Sequence, residues 1–240
     1  MNFATEVAVV AIVTLAGLMR GITGFGGAML MAPPLSLLIG PVPTVVSALM
    51  LEAAAALVMF PDAWPKINKR ILLYLTVPAC FSVPIGGYLL LTLDPWIARK
   101  VIAMVVVAFS IALLAGLRYR GAPRPLTSVV LGSIVGVLLG ATSVGAPPVI
   151  LYLLSGPDPQ WVTRANLTVF VTTISVIGLV MLVAAGAATI PLALSAFLLC
   201  IPYLGATWVG GALFDKLGEL IARQIALFFM LTMGLVSLVV

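Results

Sequence analysis

The chain has 240 residues, of which 63% are hydrophobic and 8% charged, with a formal net charge of +5 and no histidine. Soluble domains carry roughly 25% charged residues, so a water-soluble fold is excluded. With no histidine and only Cys80 and Cys200, both inside apolar stretches, neither a zinc or haem site nor a His-based nucleophile has the side chains it needs, and no catalytic residue, metal ligand or cofactor is expected.

In chain order, apolar segments are predicted at about 5–20, 28–39, 43–60, 71–93, 97–117, 126–140, 146–155, 166–185, 191–213 and 222–240. The first follows Met1-Asn2-Phe3-Ala4-Thr5-Glu6, which lacks the basic start of a cleaved signal peptide, so it is expected to stay as an anchor. A helix needs about 20 residues to cross a bilayer. The segments 28–39 and 146–155 are too short and read as broken or re-entrant pieces, leaving eight full-length spans. The expected fold is an all-α polytopic membrane protein forming one integral membrane domain. Trp64, Trp96, Trp161 and Trp208 fall mostly near span ends, where indole rings anchor at the interface.

Both short segments follow a run that cannot sustain a helix. Gly21-Ile22-Thr23-Gly24-Phe25-Gly26-Gly27 precedes the first, and Gly140-Ala141-Thr142-Ser143-Val144-Gly145-Ala146-Pro147-Pro148 leads into the second. Further along, Val77-Pro78, Ile85-Gly86-Gly87 and Ile97-Ala98-Arg99 return as Ile201-Pro202, Val209-Gly210-Gly211 and Ile221-Ala222-Arg223 at one offset of 124. Three matches in order point to a duplication, with repeats at 1–120 and 121–240. Helices broken at corresponding places in two repeats mark the substrate site of a transporter, because opened backbone at membrane depth must be buried or line a cavity.

Charge bears on orientation. Lys66, Lys69 and Arg70 occupy one connection and Arg118, Arg120 and Arg124 another, two spans later, whereas the stretch 186–190 carries no charge. The positive-inside rule puts both basic connections in the cytoplasm, and it accounts for the basic balance better than a nucleic-acid partner does. This arrangement counts 28–39 as a crossing, gives five crossings per repeat and favours inverted repeats. A count that ignores the short pieces gives four spans per repeat and parallel halves.

The Gly21–Gly27 motif, the proline that follows, the Gly40-Pro41-Val42-Pro43 break and the altered second copy together resemble the sulfite exporter TauE/SafE family over nearly the whole chain. The resemblance implies a multi-pass permease of a bacterial inner membrane, exporting sulfite, sulfonates or another small anion. Glu52 stands where the resemblance implies a small or apolar residue.

On the residues themselves, helices starting at Gly26-Gly27 and at Gly145-Ala146 would aim free N–H groups and positive dipole ends into the gap between repeats, where oxyanions bind. The candidate substrate-binding residues are Arg20, Thr23, Gly24, Phe25, Gly26, Gly27, Thr142, Ser143, Gly145, Arg164 and Asn166. Competing structural roles are close helix packing for the glycines, a span flank for Arg20, a snorkelling loop-edge cation for Arg164 and a helix cap for Asn166. Glu52 is an intramembrane carboxylate in an otherwise uncharged segment, either a proton-coupling group or a structural hydrogen-bonding partner of the opposite repeat. No nucleotide-binding loop is present, so transport would draw on a gradient of protons, of sodium or of the anion itself. The partners expected are a small anion and the lipid bilayer, with room for a homodimer. A passive anion channel is the alternative to an alternating-access carrier.

Overall fold

A computed structural model describes residues 2–23, 26–117, 119, 124–217 and 219–239, with backbone alone at residues 23, 160, 213–217, 219–223 and 225–226. Gly24, Phe25, Arg118 and Arg120 lie outside these residues, as do the side chains of Thr23 and Arg223. The described residues are helical nearly throughout: α1 (Phe3–Thr23), α2 (Gly27–Ile39), α3 (Pro41–Ala63), α4 (Lys69–Thr92), α5 (Pro95–Leu114), α6 (Pro125–Thr142), α7 (Ala146–Leu153), α8 (Gln160–Ala184), α9 (Ile190–Leu217) and α10 (Glu219–Val239). Seven of them are long and apolar enough to cross a bilayer, α10 adds the apolar stretch Leu227–Val239, and α2 and α7 are the two short pieces. The chain is a polytopic helical membrane protein.

Helix ends follow local chemistry. Gly40 separates α2 from α3 with a positive φ of 87°, and Pro41 opens α3 where a missing N–H costs nothing. Asn68 caps α4 and Asp94 caps α5 through their side-chain oxygens. The largest departure from the hydropathy reading is α8. It starts just after Pro159, six residues ahead of the predicted segment, because its first turns carry Gln160, Trp161 and Arg164. A polar, interfacial first turn is invisible to a hydropathy window.

Two close helix pairs hold the bundle together, and glycine makes both possible. In α1 against α9, a Cβ on Gly21 would stand 2.8 Å from the Gly211 nitrogen, and one on Gly210 would stand 3.1 Å from the Gly21 Cα. In α4 against α6, a Cβ on Gly140 would stand 2.8 Å from the Gly87 nitrogen, and one on Gly86 would stand 2.8 Å from the Ala141 nitrogen. Hydrocarbon gives helices no hydrophobic reason to associate, so close backbone approach and dispersion contacts have to hold them.

Contacts also fix direction. Gly17 meets Tyr203 and Gly21 meets Gly210, so α1 and α9 run the same way; Gly132 meets Leu75 and Gly140 meets Val83, so α4 and α6 do too. Gly178 lies against Leu49 while Asn166 bonds Asn68, so α8 runs opposite to α3. Gly234 lies against Val107 while Lys100 Nζ donates to the Leu238 carbonyl, so α10 runs opposite to α5.

The tight pairs carry a prediction. Gly21→Ala and Gly140→Ala each push a methyl into partner backbone and should cost about 1–3 kcal/mol, lowering the thermal midpoint in detergent. Gly205→Ala, where nothing lies within 4 Å, should leave the midpoint unchanged or raise it.

Candidate functional site

The two interruptions meet. Gly26, Ala28 and Met29 at the start of α2 and Ser143, Val144, Gly145, Ala146 and Pro147 at the start of α7 line one cavity, closed by Glu52 from α3, Leu139 from α6, and Val171 and Ser175 from α8. Glu52 lies near the middle of α3, and nearly every lining residue is buried. The space open to the centre of a water molecule is about 20 Å³, room for one water or two. A polyatomic anion needs more, so the described conformation is shut around the site.

Each motif therefore divides its glycines between two tasks. Gly21 and Gly140 seat their helices against the Gly-Gly pairs of α9 and α4. Gly26, at φ 87°, turns the chain back into α2, and Gly27 lets it approach the polar centre: a Cβ there would collide with the Tyr203 hydroxyl and stand 2.7 Å from Glu52 Oε1. At the second break Ser143 takes the left-handed conformation at φ 61°, the sole non-glycine to do so among the described residues, and Gly145 leads into α7.

At the start of α2 the negative partner is already in place. Glu52 Oε1 accepts the Ala28 N–H at 2.9 Å and the Tyr203 hydroxyl at 2.9 Å, while Arg20 Nη1 donates to Glu52 Oε2. Arg20 and Glu52 are each 5% exposed and Tyr203 is fully buried. A lone charge at this depth is costly; the pair is neutral overall, and the dipole end of α2 favours the carboxylate further. Arg20 is thus neither a span flank nor a bare cation, and Glu52 bonds the far part of the chain through Tyr203. Leu139 and Val171, which line the cavity with the start of α7, are apolar. Among the described residues no carboxylate bonds the start of α7.

The other expected residues are spread more widely. Thr142 Oγ1 donates to the Leu138 carbonyl at 2.6 Å and accepts from Val144 N–H at 3.2 Å; Ser143 lines the cavity but spends its hydroxyl proton on the Thr142 carbonyl at 2.5 Å. Asn166 lies inside α8 and caps nothing; its Oδ1 accepts the Asn68 N–H at 2.8 Å, and Asn68 in turn donates to Asp158 at 2.9 Å. Arg164 is exposed in the first turns of α8, roughly 10 Å of helix rise from Val171. Thr23, Gly24 and Phe25 fall on the part of the first break for which no side chain is described. Cys80 and Cys200 are free thiols.

Sequence reasoning missed Tyr203 and Ser175. A tyrosine in the middle of a lipid-embedded helix is a signal that could have been used, because a buried phenol seeks a partner. Ser175 is one small hydroxyl residue among several in α8 and offers no such signal.

The carboxylate cluster predicts a coupled response. Arg20→Met or Glu52→Gln alone leaves an unmatched charge or an orphaned guanidinium and should cost about 3–5 kcal/mol. The double variant should cost clearly less than the two losses added, read as a double-mutant cycle on unfolding midpoints. Tyr203→Phe, which removes one hydroxyl bond to a charged group, should cost about 2 kcal/mol.

Among proteins already described, the sequence model of the sulfite exporter TauE/SafE family matches residues 9–237. No curated protein and no solved structure matches the chain. The match covers both breaks, the polar centre and every helix, so the chain belongs to the sulfite exporter TauE/SafE family, a family of multi-pass membrane transporters.

Proposed function

We propose that the protein is a secondary carrier that moves a small sulfur-containing or organic anion, such as sulfite or a sulfonate, across a bacterial inner membrane. The family's name supports both the sulfur chemistry and the outward direction. The observation that carries the proposal is that the amino ends of two interrupted helices line the same buried cavity. Anions favour such ends because N–H groups and the helix dipole point at them.

The carrier works as two inverted repeats, 1–120 and 121–240, rocking about the cavity. Support comes from helix directions. Matching α1–α5 to α6–α10 in order makes α3 the counterpart of α8 and α5 of α10, and each of these pairs runs antiparallel. Counterparts related by an axis along the membrane normal would run parallel, so the antiparallel pairs support an axis in the membrane plane. The same matching turns the pair α1·α9 into α6·α4, the other glycine-tight contact. Basic connections after α3 and α5 then share one face, the cytoplasmic one by the positive-inside rule, and the uncharged turn after α8 lies on the other.

The closed cavity favours a carrier over a passive channel, since a channel needs a continuous path and this space holds a water or two. Protons or sodium would supply the coupling. A proton on Glu52 Oε2 would displace Arg20, whereas Oε1 could keep Ala28 and Tyr203, so the carboxyl can hold the start of α2 in either state.

In proteoliposomes, labelled sulfite or a short sulfonate should show saturable uptake with counterflow; single-channel currents would instead establish the channel. Transport by Glu52→Gln in an Arg20→Met background should lose its wild-type pH dependence if Glu52 carries the coupling proton, and keep it if the carboxylate is a fixed acceptor. Single cysteines at Asp62 and Ala187 should react with an impermeant thiol reagent from opposite sides of the membrane, and labelling from the same side would refute the inversion.

A further inference from the structure

The two helix ends at the cavity are not alike, and their difference says where a solute can sit and what charge it can carry. At α2 the Ala28 N–H is taken by Glu52, whose charge is matched by Arg20. At α7, an eight-residue helix, Pro147 and Pro148 have no N–H at all. The donors left are the N–H groups of Gly145 and Ala146, for which the described residues supply no acceptor. Ser175 lines the same cavity, 1% exposed, and its hydroxyl has no hydrogen-bond partner among the described residues. Its helical neighbours Thr172 and Thr173 instead bond carbonyls one turn back, at 2.7 and 2.8 Å. A buried hydroxyl that forgoes even that bond is unpaid for in the closed state.

We infer that the anion is held at the second break, by the Gly145 and Ala146 N–H groups and the Ser175 hydroxyl, and that the site takes singly charged oxyanions in preference to doubly charged ones. The assignment rests on the carrier reading above and narrows it. No unpaired lysine or arginine lines the cavity among the described residues, and one helix end supplies only about half a positive charge. That compensates one negative charge in part and two hardly at all. The Arg20–Glu52 pair at the same cavity is neutral overall and adds no net positive charge to offset a second negative one, while the cost of taking an ion out of water rises steeply with its charge. Two or three oxygens on one centre suit the three donors that α7 and α8 bring to this cavity. Glu52 therefore behaves as a tethered anion for one helix end, leaving the other for the solute.

The test uses the purified full-length protein, methanesulfonate as the monoanion and sulfate as the dianion at neutral pH, with binding read from the concentration dependence of the thermal midpoint. Wild type should bind methanesulfonate more tightly than sulfate. Ser175→Ala should weaken methanesulfonate binding about tenfold or more, the loss of one hydrogen bond to a charged group. Ser36→Ala, whose hydroxyl bonds the Pro33 carbonyl within α2 away from the cavity, should leave binding unchanged. Equal affinity for the two anions overturns the charge preference. Unaltered binding by Ser175→Ala overturns the placement at α7 while leaving the carrier reading intact. Failure of wild type to bind or transport any anion of either charge overturns the carrier reading, and this assignment with it.

Discussion

One carboxylate holds the centre of this molecule together. Breaking α1 before α2 strands peptide N–H groups in the middle of a bilayer, where no water is at hand to satisfy them. Glu52 accepts one of those N–H groups, and a carboxylate placed there needs a counter-charge, which Arg20 supplies from the far end of α1. Tyr203 closes the set from α9. Four helices are thereby tied at one point by groups none of which would be tolerable alone at that depth. Gly27 belongs to the same arrangement, since any side chain there would occupy the space in which these groups meet.

The second break solves the same physical problem with fewer polar atoms. Two prolines delete donors instead of satisfying them, Thr142 and Ser143 absorb local backbone groups with their own hydroxyls, and the cavity there is lined by the apolar Leu139 and Val171. The two breaks are alike in interrupting a helix and unlike in chemistry. One wall of the cavity is fixed by strong, mutually dependent bonds, whereas the other keeps donors in reserve.

Much of this was legible in the sequence because the bilayer imposes such strong rules. Apolar runs located the helices, and Gly-Pro punctuation located the short ones, since a helix cannot pass through Gly26-Gly27 or Gly145-Ala146-Pro147-Pro148 without a stop. Hydropathy failed at α8, where polar residues open a helix that continues into lipid. Motif spacing could not say that Gly21 and Gly140 pack, Gly27 makes room for the polar centre, and Gly26 and Gly145 face a cavity, because all three tasks ask for a missing side chain. Pairing of Arg20 with Glu52 was hidden as well: the residues are 32 apart, on helices whose relative position depends on the path of α2 between them. Tyr203, 151 residues from Glu52, is further still from any local pattern.

The crossed pairing of helices has a consequence for how the protein is made. As the nascent chain leaves the ribosome, α4 finds its glycine-tight neighbour soon afterwards, when α6 is inserted. By contrast α1 has to wait until residues 203–211 have been synthesised before α9 can dock along it. Arg20 spends that interval without Tyr203, relying on Glu52 alone to tolerate the lipid. Early insertion of the first helix is therefore provisional, and the last third of the polypeptide is what locks the first third in place.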